Sequence, residues 1–75
     1  MPTELLSIGP ATSLVQNQVY ALPTRRILIR TTGAIETSQD GSTFAAVTLT
    51  NNQAELSAVF VRSTVATNIV SLKAM

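Results

Sequence analysis

Few side chains of this sequence are suited to catalysis. The 75 residues include no Cys and no His, so Ser-His-Asp and Cys-His arrangements lack their base. The same absences remove the usual ligands of a zinc site. One nucleophile and base pair is left, Ser71 and Lys73, which lie two residues apart and would share one face of a strand. A polar pair near a strand end is ordinarily solvated, so we predict no catalytic residue, no metal site and no cofactor.

The acidic residues near the middle of the chain raise two further possibilities. Glu36 and Asp40 are candidates for the paired carboxylates of a glycosidase, which lie ~5–10 Å apart across a sugar, but nothing in the sequence predicts a cleft around them. Asp40 is the only acid in SQDGSTF, residues 38–44, whereas a calcium loop needs several oxygen ligands at fixed spacing. We therefore predict a hairpin turn, in which Gly41 adopts a positive φ and Asp40 bonds its own backbone.

Three of the five basic residues, Arg25, Arg26 and Arg30, lie close together at the sequence RRILIRTT. Such a cluster is a candidate phosphate-binding patch. However, the net charge is only +1, and the segment lacks the interleaved aromatic residues that stack on bases. We therefore predict no nucleic-acid binding. Instead, we expect one of these arginines to pair with Glu36 on a neighbouring strand and another to contact a partner subunit.

Alternation of apolar and polar residues predicts strands along most of the chain. The clearest example is 25–32, where Ile27 and Ile29 face one side and Leu28 the other. Together with turn signals about 8–12 residues apart, this pattern predicts an all-β fold, a small antiparallel sandwich or barrel of about six strands. Phe44 and Phe60 are expected in its core.

The first residues and one connection are less regular. A Gly-Pro bend predicts an extended N-terminal arm over residues 1–12, followed by a single β domain over 13–75. Asn51 or Asn52 could cap a short helix through residue 58, although the β-branched residues that follow favour a strand.

Composition indicates that this domain associates with other subunits. A chain of this size buries only ~60% of the surface that its unfolded form exposes, and it has no disulfide to reinforce it. Hydrophobic residues make up 45% of the sequence, charged residues only 12%, and the mean hydropathy is +0.31. We therefore predict a homo-oligomer or an assembly-bound subunit. The predicted interface residues are Leu5, Leu6, Ile8, Tyr20, Arg25, Arg26, Arg30 and Arg62.

The sequence gives no sign of a membrane or export segment. Its apolar runs, such as FAAV and AVFV, are far shorter than the ~20 residues of a membrane helix. Glu4 stands where a secretory signal would carry Lys or Arg. We expect synthesis in the cytoplasm and no membrane partner.

Two segments resemble a type of small virion protein of tailed bacteriophages. These chains share a basic and apolar strand, a hairpin of the form IE-S-DG-T-F/W, and a late strand F-(I/V)-R-S/C-T that closes on V-LK. The resemblance covers about two thirds of this chain. It is carried by Arg30, Ile35, Glu36, Ser38, Asp40, Gly41, Thr43 and Phe44, and by Phe60, Val61, Arg62, Ser63, Thr64, Val70, Leu72 and Lys73.

The resemblance implies a non-enzymatic virion component made in the host cytoplasm. The expected role is a head decoration or cement protein that bridges major capsid protein subunits, and a small tail accessory subunit is the alternative. A carbohydrate- or surface-binding sandwich is a third hypothesis, which needs an exposed aromatic platform. The exposure of Tyr20 distinguishes the structural role from the binding module. Burial of Tyr20 at a subunit contact favours the structural role, whereas exposure beside Asn and Gln favours the binding module.

Overall fold

The computed structural model describes residues 4–74, with the side chain of Pro10 excepted, and shows nine strands in that range. Two of the strands, β1 and β6, are only two residues long. The strands are β1 (Glu4–Leu5), β2 (Gly9–Leu14), β3 (Val19–Ala21), β4 (Arg26–Thr31), β5 (Ile35–Ser38), β6 (Ala45–Ala46), β7 (Gln53–Ser57), β8 (Phe60–Ser63) and β9 (Asn68–Ala74).

The strands form two sheets, which confirms the predicted all-β sandwich. One sheet has five strands in the order β1-β3-β8-β5-β6, and the other has four in the order β2-β9-β4-β7. Neighbouring strands are antiparallel except for the short parallel pair β1 and β3. The two sheets are separate, so the barrel alternative does not apply.

Within residues 4–74 no helix is long and apolar enough to cross a membrane.

The core lies between the two sheets. In β4, Ile27 and Ile29 are fully buried while Leu28 is half-buried on the opposite face, which confirms the predicted alternation. The same period of two directs apolar side chains inward from β8 and β9. The buried apolar residues are Leu6, Leu14, Tyr20, Leu22, Ile27, Ile29, Ile35, Leu56, Ala58, Val61, Val70 and Leu72.

Two connections differ from the sequence prediction because asparagines occupy positive φ. Alternation over 13–22 predicts one edge or interface strand, since neither face is purely apolar, but a turn at Asn17, whose φ is 64°, divides it. The short helix that Asn51 or Asn52 could cap does not form, since these residues have φ of 53° and 62° and lie at the tip of a hairpin between Thr50 and Gln53. Two successive residues at positive φ are typical of a type I′ turn, which matches the twist of the flanking strands. These divisions help to explain why nine strands are found where about six were expected.

The described part of the predicted N-terminal arm is built into both sheets. Leu6 donates its backbone N–H to Ala21 O at 2.9 Å and is buried in the core. Strand β2 then pairs with β9 and runs through residue 12, so the predicted boundary falls inside a strand. Residues 4–12 are therefore part of the domain, because they bury a core side chain and satisfy backbone bonds of both sheets. Leu5 and Ile8 remain 69% and 42% exposed.

Candidate partner interface

The SQDGSTF stretch is a hydrogen-bonded turn, as predicted. Asp40 Oδ1 accepts bonds from the backbone N–H groups of Thr43 at 2.9 Å and Ser42 at 2.8 Å. The buried Ser38 hydroxyl donates to the same oxygen at 2.9 Å and accepts the N–H of Gly41 at 2.8 Å. The bonds from Thr43, Ser42 and Ser38, in that order of importance, lower the pKa of Asp40 from 3.8 to about 2. The carboxylate therefore holds the turn together while it is ionised.

This turn covers an aromatic side chain on the outer face of the five-stranded sheet. Gly41 has φ 81°, and a Cβ placed there would lie 3.4 Å from the ring of Phe60. The ring of Phe44, the residue just before β6, faces Arg62. The distance from the ring centroid to the guanidinium carbon of Arg62 is 4.2 Å. Both rings are half-buried and lie outside the core cluster, so the prediction that they are core residues is wrong. They pack instead against the turn and an arginine.

The partner of Glu36 is Arg62, rather than one of the three arginines in or next to β4. Glu36 and Arg62 are opposite each other on β5 and β8, and Nε lies 2.8 Å from Oε1. Arg26 and Arg30 lie in the four-stranded sheet, because β4 pairs with β7 and β9. The predicted ion pair therefore exists with a different arginine. The sequence could not distinguish the candidates, since strand neighbours in a two-sheet fold need not be neighbours in the chain.

The outer face of the four-stranded sheet carries most of the remaining charge. We call it the basic face and define it by three exposed cations around half-buried Leu28, namely Arg26, Arg30 and Lys73. Leu28 is paired with Glu55 on one side and Lys73 on the other. Arg30 is likewise paired with Gln53 and Ser71. Among the described residues, Glu36 and Arg62 form the one close ion pair. Glu55 is the single acid on the basic face, so its three cations leave a net charge of +2 there.

A shallow groove of about 300 Å³ runs across the basic face. Its walls include two cations, a hydroxyl and an amide, and Leu28 and Leu72 supply apolar surface. Ser71 and Lys73 do share this face, as their spacing predicts. The lining residues are Gly9, Leu28, Arg30, Gln53, Ser71, Leu72 and Lys73.

The two sheets carry opposite net charge. With its Asp40 turn, the five-stranded sheet holds three acids and one cation, a net charge of −2. The four-stranded sheet holds three cations and one acid, a net charge of +2, and Arg25 lies just before it. A total charge of only +1 therefore conceals a separation of charge between the two sides of the domain.

Among residues 4–74, no group of His, Cys, Asp or Glu side chains is arranged to hold a metal ion.

Two of the predicted interface residues are not available to a partner. Leu6 and Tyr20 are 5% and 3% exposed, and the Tyr20 hydroxyl accepts the backbone N–H of Val15 at 2.9 Å. Tyr20 therefore belongs to the core of its own chain, and it supports neither a subunit contact nor an exposed aromatic platform. Arg62 is engaged with Glu36. The residues that remain exposed are Leu5, Ile8, Arg25, Arg26 and Arg30.

Sequence reasoning missed the contribution of Lys73 to the basic face. Alternation places Arg26, Leu28 and Arg30 on one face of β4, but the pairing of β4 with β9 joins positions 39 to 47 residues apart. The sequence predicts that Ser71 and Lys73 share a strand face, but it does not identify β4 as the neighbouring strand.

No family model, curated protein or solved structure matches this chain.

Proposed function

We propose that this protein is a non-enzymatic structural subunit of a tailed-phage virion, a decoration or cement protein that bridges neighbouring capsid subunits on the outside of the head. The viral setting comes from the sequence resemblance. The bridging role is supported by one observation above all, the opposite charge of the two sides of the domain. A domain of 28 × 25 × 21 Å with two chemically different sides is suited to contact two different neighbours.

The sheet edges favour contact through faces over edge-to-edge pairing. The five-stranded sheet ends in β1 and β6, which are two residues long, and short edge strands pair poorly with other chains. In the four-stranded sheet, edge strand β2 contains Pro10, which has no N–H to donate. At the other edge, the Gln39 side chain donates to Ser57 O of β7 at 2.7 Å. Partners are therefore expected to bind side chains of the faces.

Exposed apolar side chains would supply the remaining contact area. Ile69 is 44% exposed and lies opposite Ser13 on the four-stranded sheet, while Val15 is 59% exposed just after β2. Apolar residues surrounded by polar groups are typical of protein interfaces. Each contact of so small a domain would be weak, but engagement of two or three subunits at once raises the overall affinity.

The test is to mix the purified protein with phage heads that lack it, then measure co-sedimentation and resistance to heat and osmotic shock. The proposal expects saturable binding and a higher temperature of DNA release. A protein that is present in virions but neither binds nor strengthens heads would point to a tail accessory subunit. A protein that is absent from virions and binds glycans would point to a surface-binding module.

A further inference from the structure

The basic face contains charges that the rest of the chain leaves unbalanced. Arg30 and Lys73 line the same groove. Arg26 lies on the same face of β4, two residues before Leu28. Like charges on one sheet face repel each other, and Glu55 is the one acid among these cations, so the face keeps a net charge of +2. In contrast, two of the three acids of the other sheet are engaged internally, Glu36 by Arg62 and Asp40 by its turn. The basic face is therefore the side with more charge available to a partner.

We infer that this groove binds an acidic, extended segment of a partner protein, with a carboxylate between Arg30 and Lys73 and a neighbouring apolar side chain on Leu28. The inference rests on the proposed bridging function, of which it names one docking face and its partner chemistry. An Arg guanidinium is suited to forked bonds with a carboxylate. The Ser71 hydroxyl and the Gln53 amide in the same groove are further donors.

The surroundings of the groove favour protein over nucleic acid. Base stacking requires exposed aromatic rings, and the three aromatic residues of the chain belong to the core or to the five-stranded sheet side. Leu28 and Leu72 line the groove beside its cations, and such apolar surface suits a side chain better than a phosphate. A second copy of this chain is a poorer occupant. Of its four acids, Glu36 and Asp40 accept internal bonds and Glu55 lies on the basic face itself, which leaves one carboxylate, Glu4.

The test uses a fluorescein-labelled synthetic peptide with the repeat Glu-Ser-Val-Ser, which places Glu and Val on the same side of an extended chain. Binding is measured by fluorescence anisotropy at low salt. A peptide with Gln in place of Glu controls for charge. Arg30→Glu and Lys73→Glu are each expected to weaken binding by about tenfold or more, since each replaces an attraction by a repulsion. Arg25→Glu is the matched control, because it makes the same change of charge at an exposed arginine outside the groove, and it is expected to weaken binding by less than about threefold.

Circular dichroism and thermal melting establish that each variant folds, and Arg30→Gln replaces Arg30→Glu if the reversed charge does not fold. Equal weakening by Arg25→Glu and Arg30→Glu would show unspecific attraction and overturn the inference. Tighter binding of a single-stranded oligonucleotide than of the Glu peptide, with the same dependence on Arg30, would also overturn it. If wild type and Arg30→Glu bind phage heads equally well, the inference fails while the bridging function stands. If the peptide binds through the groove and heads do not bind at all, the bridging function fails.

Discussion

Replacement of Gly41 tests the turn between β5 and β6 most directly. Its φ of 81° lies in the left-handed region, where a side chain on Cβ crowds the following carbonyl. The backbone conformation alone is expected to cost Gly41→Ala about 1–2 kcal/mol. Gly41→Val should cost at least as much and rank as the most unstable of the variants, because β-branched residues resist positive φ most strongly.

Contact with Phe60 adds a second contribution that a matched variant separates. A Cβ at position 41 would lie 3.4 to 3.7 Å from three atoms of the Phe60 ring, so the half-buried ring must shift slightly. Gly41→Asn introduces the same Cβ, but Asn tolerates the left-handed region, as Asn17, Asn51 and Asn52 do in this chain. The expected order of stability is therefore wild type, Asn, Ala and Val, from highest to lowest.

Urea unfolding followed by circular dichroism measures this order. With an m-value of ~1 kcal/mol/M for a small domain, a loss of 1–2 kcal/mol lowers the midpoint by about 1–2 M. Equal midpoints for Ala and Asn variants would assign the whole loss to the Phe60 contact. Midpoints of all three variants equal to that of wild type would refute the left-handed turn itself.

Four further outcomes are expected. The folded state lowers the pKa of Asp40 to about 2, so the stabilisation by its carboxylate is complete above pH ~4 and is lost as pH falls towards 2. The urea midpoints of wild type and Asp40→Asn should therefore converge in acid. A difference in midpoint that stays constant with pH would contradict this. Asn68→Ala removes buried bonds to the backbone of residues 33 and 34 and should cost about 1–3 kcal/mol in calorimetry, while an unchanged melting temperature would exclude that role. Glu36→Gln should cost less than ~1 kcal/mol by the same method, since its pair with Arg62 is partly exposed and the contact of Arg62 with Phe44 is kept, and a larger loss would mean that the pair is effectively buried. Light scattering coupled to size exclusion should show an oligomer at micromolar concentration, and a monomer with a high melting temperature would be evidence against assembly.

Features set by adjacent residues could be predicted from the sequence. Strand β4 follows from the alternation of Ile27 and Ile29 with exposed neighbours, because a period of two places both on one face whichever strands lie beside it. The turn at Asp40 and Gly41 follows from the backbone preferences of those two residues. In both cases the physical cause lies within a few residues of the chain, and the structure agrees.

Features set by distant pairing could not be predicted in the same way. Alternation over 13–22 predicts one edge or interface strand because neither face is purely apolar, but the positive φ of Asn17 ends the first strand there. After that turn Tyr20 points inward, and its hydroxyl bonds to the N–H of Val15. A buried Tyr needs such a partner, and nothing in the local pattern identifies a backbone N–H five residues earlier as the donor.

The separation of charge has the same physical origin as these errors, and it determines which side of the domain is available for binding. Arg30 and Lys73 are far apart in the chain and become neighbours only because β4 pairs with β9. That pairing brings three cations onto a face with one acid, Glu55, whereas the pairing of β5 with β8 places Glu36 directly opposite Arg62. In the five-stranded sheet, Glu36, Arg62 and Asp40 therefore stabilise its own strands and turn. The four-stranded sheet keeps its charges exposed around Leu28, and this asymmetry is the physical reason to expect that a partner is recognised by the basic face.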